Sequence, residues 1–215
     1  NDRMKKIVMV LTAAVLLGFL VYQGSMAFFH AETQVGAKIS AGSLGIDLIE
    51  STNETNAEKT ENGYKFMSVL PGAEIKSSVH VENVKEHTLY VRVTATKYWE
   101  DGNGNKLPDA DASLIKLVTK DPANWIIMDD AANSNSENVY FYYRKPMKSD
   151  EVSTNLMDAI QISPELKDTN YSTYQVHLSF DAEAVQSISG KDAVLSEWGA
   201  EIEFDENGNI ISVED

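Results

Sequence analysis

Two stretches of this chain alternate apolar and polar residues with a period of two. In Ser77–Val84 the first two valines alternate with His80 and Glu82, and Leu89–Tyr98 repeats the alternation. Successive side chains of a β-strand point to opposite faces of a sheet, so this pattern is typical of strands that are buried on one face. Both stretches are therefore predicted to be half-buried strands.

Further strands are predicted where β-branched and aromatic residues lie between polar segments: Val139–Arg144, Tyr174–Phe180 and a hairpin over Glu201–Val213. Asn207-Gly208 is the predicted turn of that hairpin, because Asn-Gly supplies the positive φ angles that a tight turn requires. Helical signals are few. Asp192–Trp198 is predicted to form one or two helical turns, and Leu156–Ile160 is either a short helix or an extended stretch.

Two polar segments without periodicity, Ser51–Asn62 and Ala131–Asn138, are predicted to be surface loops. We find no internal repeat and no linker that would divide the chain, so residues 39–215 are predicted to form a single domain. Many short strands separated by turns indicate an all-β fold, namely a jelly-roll-like antiparallel β-sandwich with short helices in its loops.

The first 27 residues have the anatomy of a secretory signal peptide. Basic residues at positions 3, 5 and 6 precede an apolar stretch of 15 residues, Ile7–Val21, and a small-x-small triplet, Ser25–Ala27. Cleavage is predicted between Ala27 and Phe28. The apolar stretch is shorter than the about 20 residues that span a bilayer, although a retained N-terminal anchor helix is kept as an alternative. The protein is therefore predicted to be secreted.

The exported chain is strongly acidic and has no cysteine. The full sequence carries a net charge of −15, and removal of one acidic and three basic residues with the signal leaves −17. Nucleic acids and anionic membranes repel such a chain, so neither is a predicted partner, and membrane contact is expected only before signal cleavage. The absence of cysteine excludes thiol catalysis and disulfides, and it suits the exterior of a Gram-positive bacterium.

No catalytic or confident metal-binding motif is present. The four histidines are His30, His80, His87 and His177. No pair has the His-Glu-x-x-His spacing of a zinc peptidase, and no serine lies in a Gly-x-Ser-x-Gly elbow. The protein is therefore predicted not to be an enzyme and to need no cofactor.

Oxygen-bearing side chains recur along one loop, at Asp101, Asn103, Asn105 and Asp109. An EF-hand would also need a glycine at the sixth position and a glutamate at the twelfth, where this chain has lysine and alanine. The EF-hand is thus excluded. A weaker calcium site on these four residues stays open beside the simpler interpretation of a Gly/Asn-rich connecting loop.

Aromatic residues could form a carbohydrate-binding platform or, as the favoured interpretation, core and cross-strand pairs. They are Trp99, Trp125, Trp198, Tyr140, Tyr142 and Tyr143. A monomeric cell-surface adhesin that binds glycans through these rings is therefore one alternative function.

The residues around the cleavage site resemble the TasA and camelysin family of Gram-positive exported proteins. The matching features are the small-x-Ala cut at Ala27, the aromatic pair Phe28-Phe29 followed by Glu32, and the Ala-Gly-containing strand Ile39–Leu48. Further blocks follow in the same order as in the family: Val69–Glu74 as a Pro-Gly turn, Val79–Asn83 as the next strand and Phe180–Gln186 as a C-terminal Ala-x-Gln strand. The resemblance covers most of residues 1–186 and leaves Trp198 and the terminal hairpin unmatched.

This resemblance implies a jelly-roll β-sandwich, cleavage by a signal peptidase of the SipW type, and a place in the extracellular matrix or on the cell surface. It also implies a structural subunit that assembles with copies of itself, and in some cases with a minor matrix subunit, into biofilm fibres. The peptidase activity attached to camelysin is an alternative function, but no zinc motif is present to support it.

The expected mode of assembly is donor-strand addition, in which the N-terminal segment of one subunit completes a sheet of the next. The predicted donor segment is 28–38, and the side chains expected to fill the neighbour's groove are Phe28, Phe29, Val35 and Ile39. A head-to-tail contact of this kind propagates into a filament. The alternative is that Phe28–Leu48 forms the first strand of its own sandwich, as a monomer could do before assembly.

Overall fold

A computed structural model describes residues 28–32, 45–60, 63–166 and 169–214. The predicted signal peptide, including Ala27, and the donor-segment residues Val35 and Ile39 lie outside these ranges. Within them the chain forms antiparallel sheets and only short helices, which confirms the predicted all-β sandwich class with short helices in its loops. None of the helices in these ranges is both long and apolar enough to cross a bilayer.

Sheet A contains seven strands. They are β1 (Phe28–Glu32), β3 (Ala57–Lys59), β4 (Gly63–Phe66), β6 (Leu89–Glu100), β8 (Trp125–Asp129), β9 (Asn138–Tyr143) and β11 (Gln175–Gln186). The strand order is β3-β4-β11-β6-β9-β8, and β1 also pairs with β11. The twelve-residue strands β6 and β11 pair along their whole length, from Leu89 opposite Gln186 to Glu100 opposite Gln175.

Sheet B contains four strands in the order β2-β5-β10-β7. They are β2 (Ile46–Thr52), β5 (Glu74–Asn83), β7 (Ile115–Val118) and β10 (Met157–Ile162). The inward faces of the two sheets enclose one core, in which Val79 and Val81 of β5 lie against residues such as Val91, Val93 and Phe141 of sheet A. This burial confirms the face that the period-two alternation of β5 and β6 predicts.

A third layer, the C-terminal layer, consists of residues 187–214. It contains a 3₁₀ turn (Ser187–Ser189), the helix α2 (Lys191–Trp198) and the hairpin β12 (Glu201–Phe204) and β13 (Ile210–Glu214). This layer covers the outer face of sheet A and forms a second apolar cluster with Tyr90, Tyr142 and Val185. The strands β6, β9 and β11 are therefore buried on both faces over part of their length.

The structure differs from two local predictions and decides between the two alternatives of a third. The predicted loop Ser51–Asn62 contains β3, and the predicted loop Ala131–Asn138 begins with a one-turn helix, α1 (Ala131–Ser134). The carboxylate of Asp130 accepts a hydrogen bond from the backbone of Asn133 and so caps α1. The stretch that was open between helix and extended structure forms strand β10.

Candidate functional site

The strand β1 lies along an open edge of sheet A. Its residues pair antiparallel with β11, from Phe28 opposite Val185 to Glu32 opposite Asp181. Phe28 and Phe29, the two predicted donor residues of this strand, therefore lie at this edge. In the structure, β1 is thus a strand of its own sandwich, as the alternative prediction describes.

Two strands share this edge of β11. The strand β4 pairs with Val176–Ser179, and β1 pairs with Asp181–Val185, so that only Phe180 lies between the two paired segments. The opposite edge of β11 pairs along its whole length with β6. Because an unpaired strand edge presents free N–H and C=O groups, the β1 position is a site at which main-chain hydrogen bonds alone can hold an added strand.

The same stretch of β11 joins the two apolar clusters. Ala182 and Ala184 belong to the main core, whereas Val185 belongs to the cluster under the C-terminal layer. Glu183 projects on the side of Val185 and pairs with Arg92. Whatever strand pairs with Asp181–Val185 therefore lies beside both clusters.

Arg92 attaches the C-terminal layer to sheet A. Its guanidinium carbon lies 5.3, 5.9 and 5.5 Å from the ring centroids of Tyr140, Tyr142 and Trp198. Nη1 also donates a hydrogen bond of 3.0 Å to the carbonyl oxygen of Trp198. Burial lowers the pKa of Arg92, but the hydrogen bond and charge of Glu183 outweigh that effect and raise the pKa above its ordinary value.

The three histidines whose side chains the structure describes do not converge on a metal site. His80 lies on β5 of sheet B, His177 on β11 of sheet A, and His87 in the connection between β5 and β6. His177 instead contacts Glu100, with Nδ1 2.9 Å from Oε1. The parts of the chain that the structure describes contain no group of three or more His, Cys, Asp or Glu residues that could hold a metal.

The predicted calcium loop is closed by its own hydrogen bonds. Oδ1 of Asp101 accepts from the backbone N–H groups of Asn103 and Asn105 at 2.8 and 2.9 Å, and Oδ2 accepts from the side chain of Asn105 at 2.9 Å. These bonds, the side-chain bond of Asn105 first, hold the pKa of Asp101 below its ordinary value. Asp109, the fourth predicted ligand, is exposed and makes no such bond.

The aromatic platform is not a surface feature. Tyr142 and Tyr143 are each 2% exposed, and Trp99 and Trp125 are buried in the main core. Trp198 packs edge-on against Tyr142 with centroids 5.7 Å apart. The core and the C-terminal layer cover five of these six rings, and Tyr140 is half-buried, which confirms the favoured interpretation of core and cross-strand packing and leaves the glycan-binding alternative without an exposed platform on them.

Glu50 and Lys97 are among the buried ionisable groups that the sequence does not single out. Glu50 of β2 faces inward, and neither of its carboxyl oxygens has a hydrogen-bond partner among the described residues. Burial, opposed by the charge of Lys59, raises the pKa of Glu50 from 4.5 to about 8. Lys97 of β6 is 2% exposed at an inward position where the alternation Val91, Val93 continues. In each strand, the sequence signal was a charged residue at a position where the alternation predicts an apolar one.

Comparisons with models of protein families, with curated proteins and with solved structures find no match for this chain.

Proposed function

We propose that this protein is a secreted structural subunit of an extracellular matrix fibre, in which the N-terminal segment of one subunit completes sheet A of the next. The observation that supports the proposal is β1, five residues that pair with one edge of β11 and precede the rest of the sandwich. The same main-chain bonds can form within one chain or between two, and exchange of an identical element between copies is a low-cost route to assembly.

The chain between β1 and β2 is long enough for exchange. Thirteen residues, 33–45, connect the two strands. Fully extended, such a segment spans up to about 45 Å, which is comparable with the diameter of a domain of this size. A subunit can therefore keep its own sandwich in place while its residues 28–32 reach the β11 edge of a neighbour. Because the donor and the acceptor are different surfaces, the contact is head-to-tail and continues into a filament.

The net charge gives the proposed assembly a pH dependence. About 17 net negative charges on each exported subunit oppose self-association until carboxylates are protonated. Fibre growth is therefore expected to be faster at acidic than at neutral pH, which light scattering at a series of pH values measures. Salt should accelerate growth at neutral pH for the same reason.

The test compares the chain that begins at Phe28 with a variant lacking residues 28–38, by negative-stain electron microscopy at neutral and acidic pH. We expect fibres from the first protein and a folded but non-fibrous second protein. A synthetic peptide of residues 28–38 should bind the deletion variant, whose β11 edge is empty, and a scrambled peptide of the same composition should not. Fibres of normal length from the deletion variant would show that another contact builds the filament.

A further inference from the structure

A solvent-open cavity lies between the two sheets on the side of the sandwich formed by the edge strands β7 and β8. Its volume is about 500 Å³. Leu114 and Leu117 line one wall, and Ile127 lines the other. This size lies within the roughly 300–1,000 Å³ that small-molecule sites occupy. Ile127 is 41% exposed, so the residues that the structure describes leave this apolar side chain at the cavity partly uncovered.

Lys97 lines the same cavity from the β6 side. Its ammonium donates to the carbonyl oxygen of Ala112 at 2.7 Å and to that of Ser136. An ammonium has three donors, and no acceptor among the described residues takes the third. No carboxylate of the described residues lies within ion-pair distance of it either, although the side chain is 2% exposed.

A buried cation without an anionic partner is costly, because the surrounding protein replaces only part of its hydration. Burial accordingly lowers the pKa of Lys97 from 10.5 to about 8, against the raising effect of the more distant charges of Asp129, Asp111 and Glu137. An anionic group that enters the cavity and accepts the third N–H would remove this cost.

The other charges on the wall limit the charge of that ligand. Lys97 and Lys116 are balanced by Asp129 and Glu165, so the lining has no net charge to attract a polyanion. One anionic group at Lys97 is compatible with this balance. The leucine and isoleucine side chains favour an apolar remainder, and Ser113 and Ser163 add hydroxyl groups on the same wall.

We propose that this cavity is a binding site for a small monocarboxylate with a short apolar body, whose carboxylate accepts a hydrogen bond from Lys97 while its apolar part lies against Leu117 and Ile127. The site is remote from β1 and does not depend on the fibre proposal. Loss of a charge-assisted hydrogen bond at a buried position is expected to weaken binding at least tenfold.

Calorimetric titration of the chain beginning at Phe28 with sodium octanoate at pH 7 tests the site, with 1-octanol as the uncharged probe of similar shape. We expect saturable octanoate binding, octanol binding at least tenfold weaker, and an octanoate affinity at least tenfold lower in Lys97→Met. Lys148→Met, which changes an exposed lysine outside the cavity, should bind octanoate as the unaltered chain does. Equal binding of octanoate and octanol, or no loss in Lys97→Met, would overturn the proposal.

Lys97→Met leaves two carbonyl oxygens without a donor and could fail to fold, so a second measurement uses the unaltered chain. The pKa of the Lys97 amine, followed by nuclear magnetic resonance of its ε-carbon, should rise when octanoate is added, because a bound anion stabilises the charged form. Octanol should leave it unchanged. A pKa that does not respond to octanoate would also overturn the proposal.

Discussion

Arg92 of β6 and Glu183 of β11 are direct cross-strand partners that form an ion pair beneath the C-terminal layer. Their side chains are 12% and 11% exposed, and the guanidinium also contacts Trp198 of α2 through its carbonyl oxygen and its ring. One side chain thereby connects the central strands of sheet A to the third layer. Glu183 lies opposite His30 of β1, so this connection adjoins the edge at which β1 pairs.

Replacement of Arg92 by methionine should therefore destabilise the fold strongly. Arg92→Met removes the ion pair with the buried carboxylate of Glu183, and we expect the free energy of unfolding in urea to fall by about 3 kcal/mol. The matched control is Lys145→Met, which removes a pair with Glu151 at 3.2 Å whose lysine is 49% exposed. That exposed pair should contribute less than about 1 kcal/mol. Equal effects of the two variants would contradict the buried role of Arg92.

Gly63 of β4 is required for close pairing with β11. A Cβ atom at this position would lie 1.7 Å from the carbonyl oxygen of Leu178. Gly63→Ala must therefore push β4 away from β11, and we expect a loss of about 3 kcal/mol in the free energy of unfolding. Gly102→Ala is the control, because a Cβ there would meet nothing within 4 Å, and it should change stability by less than about 0.5 kcal/mol.

Glu50 should make the fold more stable in mild acid than in mild alkali. Its pKa is about 8 in the folded protein, against an ordinary value of 4.5. Between these values the folded state keeps a proton that the unfolded chain has released, so the free energy of unfolding falls as the pH rises. The group accounts for a change on the order of 5 kcal/mol across this range.

Urea unfolding at a series of pH values from 5 to 9 checks this prediction in Glu50→Gln, which keeps the shape of the protonated acid. The variant should lose most of the decline in stability with pH. Glu58→Gln changes an exposed carboxyl group on the neighbouring strand β3 and should keep the decline. A decline that is the same in Glu50→Gln and in the unaltered chain would refute the assignment to Glu50.

The strands were predictable where one face is buried and the other is not. The apolar positions of the alternation in β5 and β6 are all buried, and Asn207-Gly208 forms the hairpin turn with Gly208 at a φ of +82°. The strand β10 stayed ambiguous because Leu156–Ile160 shows no alternation, and β3 was missed because it has only three residues, of which two are charged. Such a strand exists only because β4 is available to pair with it.

The candidate sites depend on contacts between residues that are far apart in sequence. The burial of Tyr142 follows from Trp198, which lies more than fifty positions later in the chain, so a local pattern could not separate a surface platform from a covered one. Lys97 and Glu50 break an apolar alternation at single positions, and only the packing of the opposite sheet shows that they remain inside. The edge at which β1 pairs could not be predicted, because periodicity does not reveal which residues of β11 lie opposite another strand.

The loop at Asp101 has the same sequence pattern and the same aspartate hydrogen bonds as a second loop, which begins at Asp205. Both Asp101–Asn105 and Asp205–Asn209 have the sequence Asp-x-Asn-Gly-Asn, and in each the aspartate accepts two backbone N–H bonds and one side-chain amide bond. In both loops the glycine has a positive φ, +84° at Gly104 and +82° at Gly208. In both loops, hydrogen bonds to the aspartate therefore organise the turn.

Calcium should therefore leave the thermal unfolding midpoint unchanged, whereas Asp101→Ala and Asp205→Ala should each lower it in the absence of calcium. The hydrogen bonds lower the pKa of both aspartates below 3.8, so their contribution is present above that pH and is lost on further acidification. Asp109→Ala should have no effect, because Asp109 is exposed and holds no part of the loop. Differential scanning calorimetry with calcium and with a chelator measures these unfolding midpoints. A midpoint that rises with calcium and no longer rises in Asp109→Ala would establish the calcium site instead.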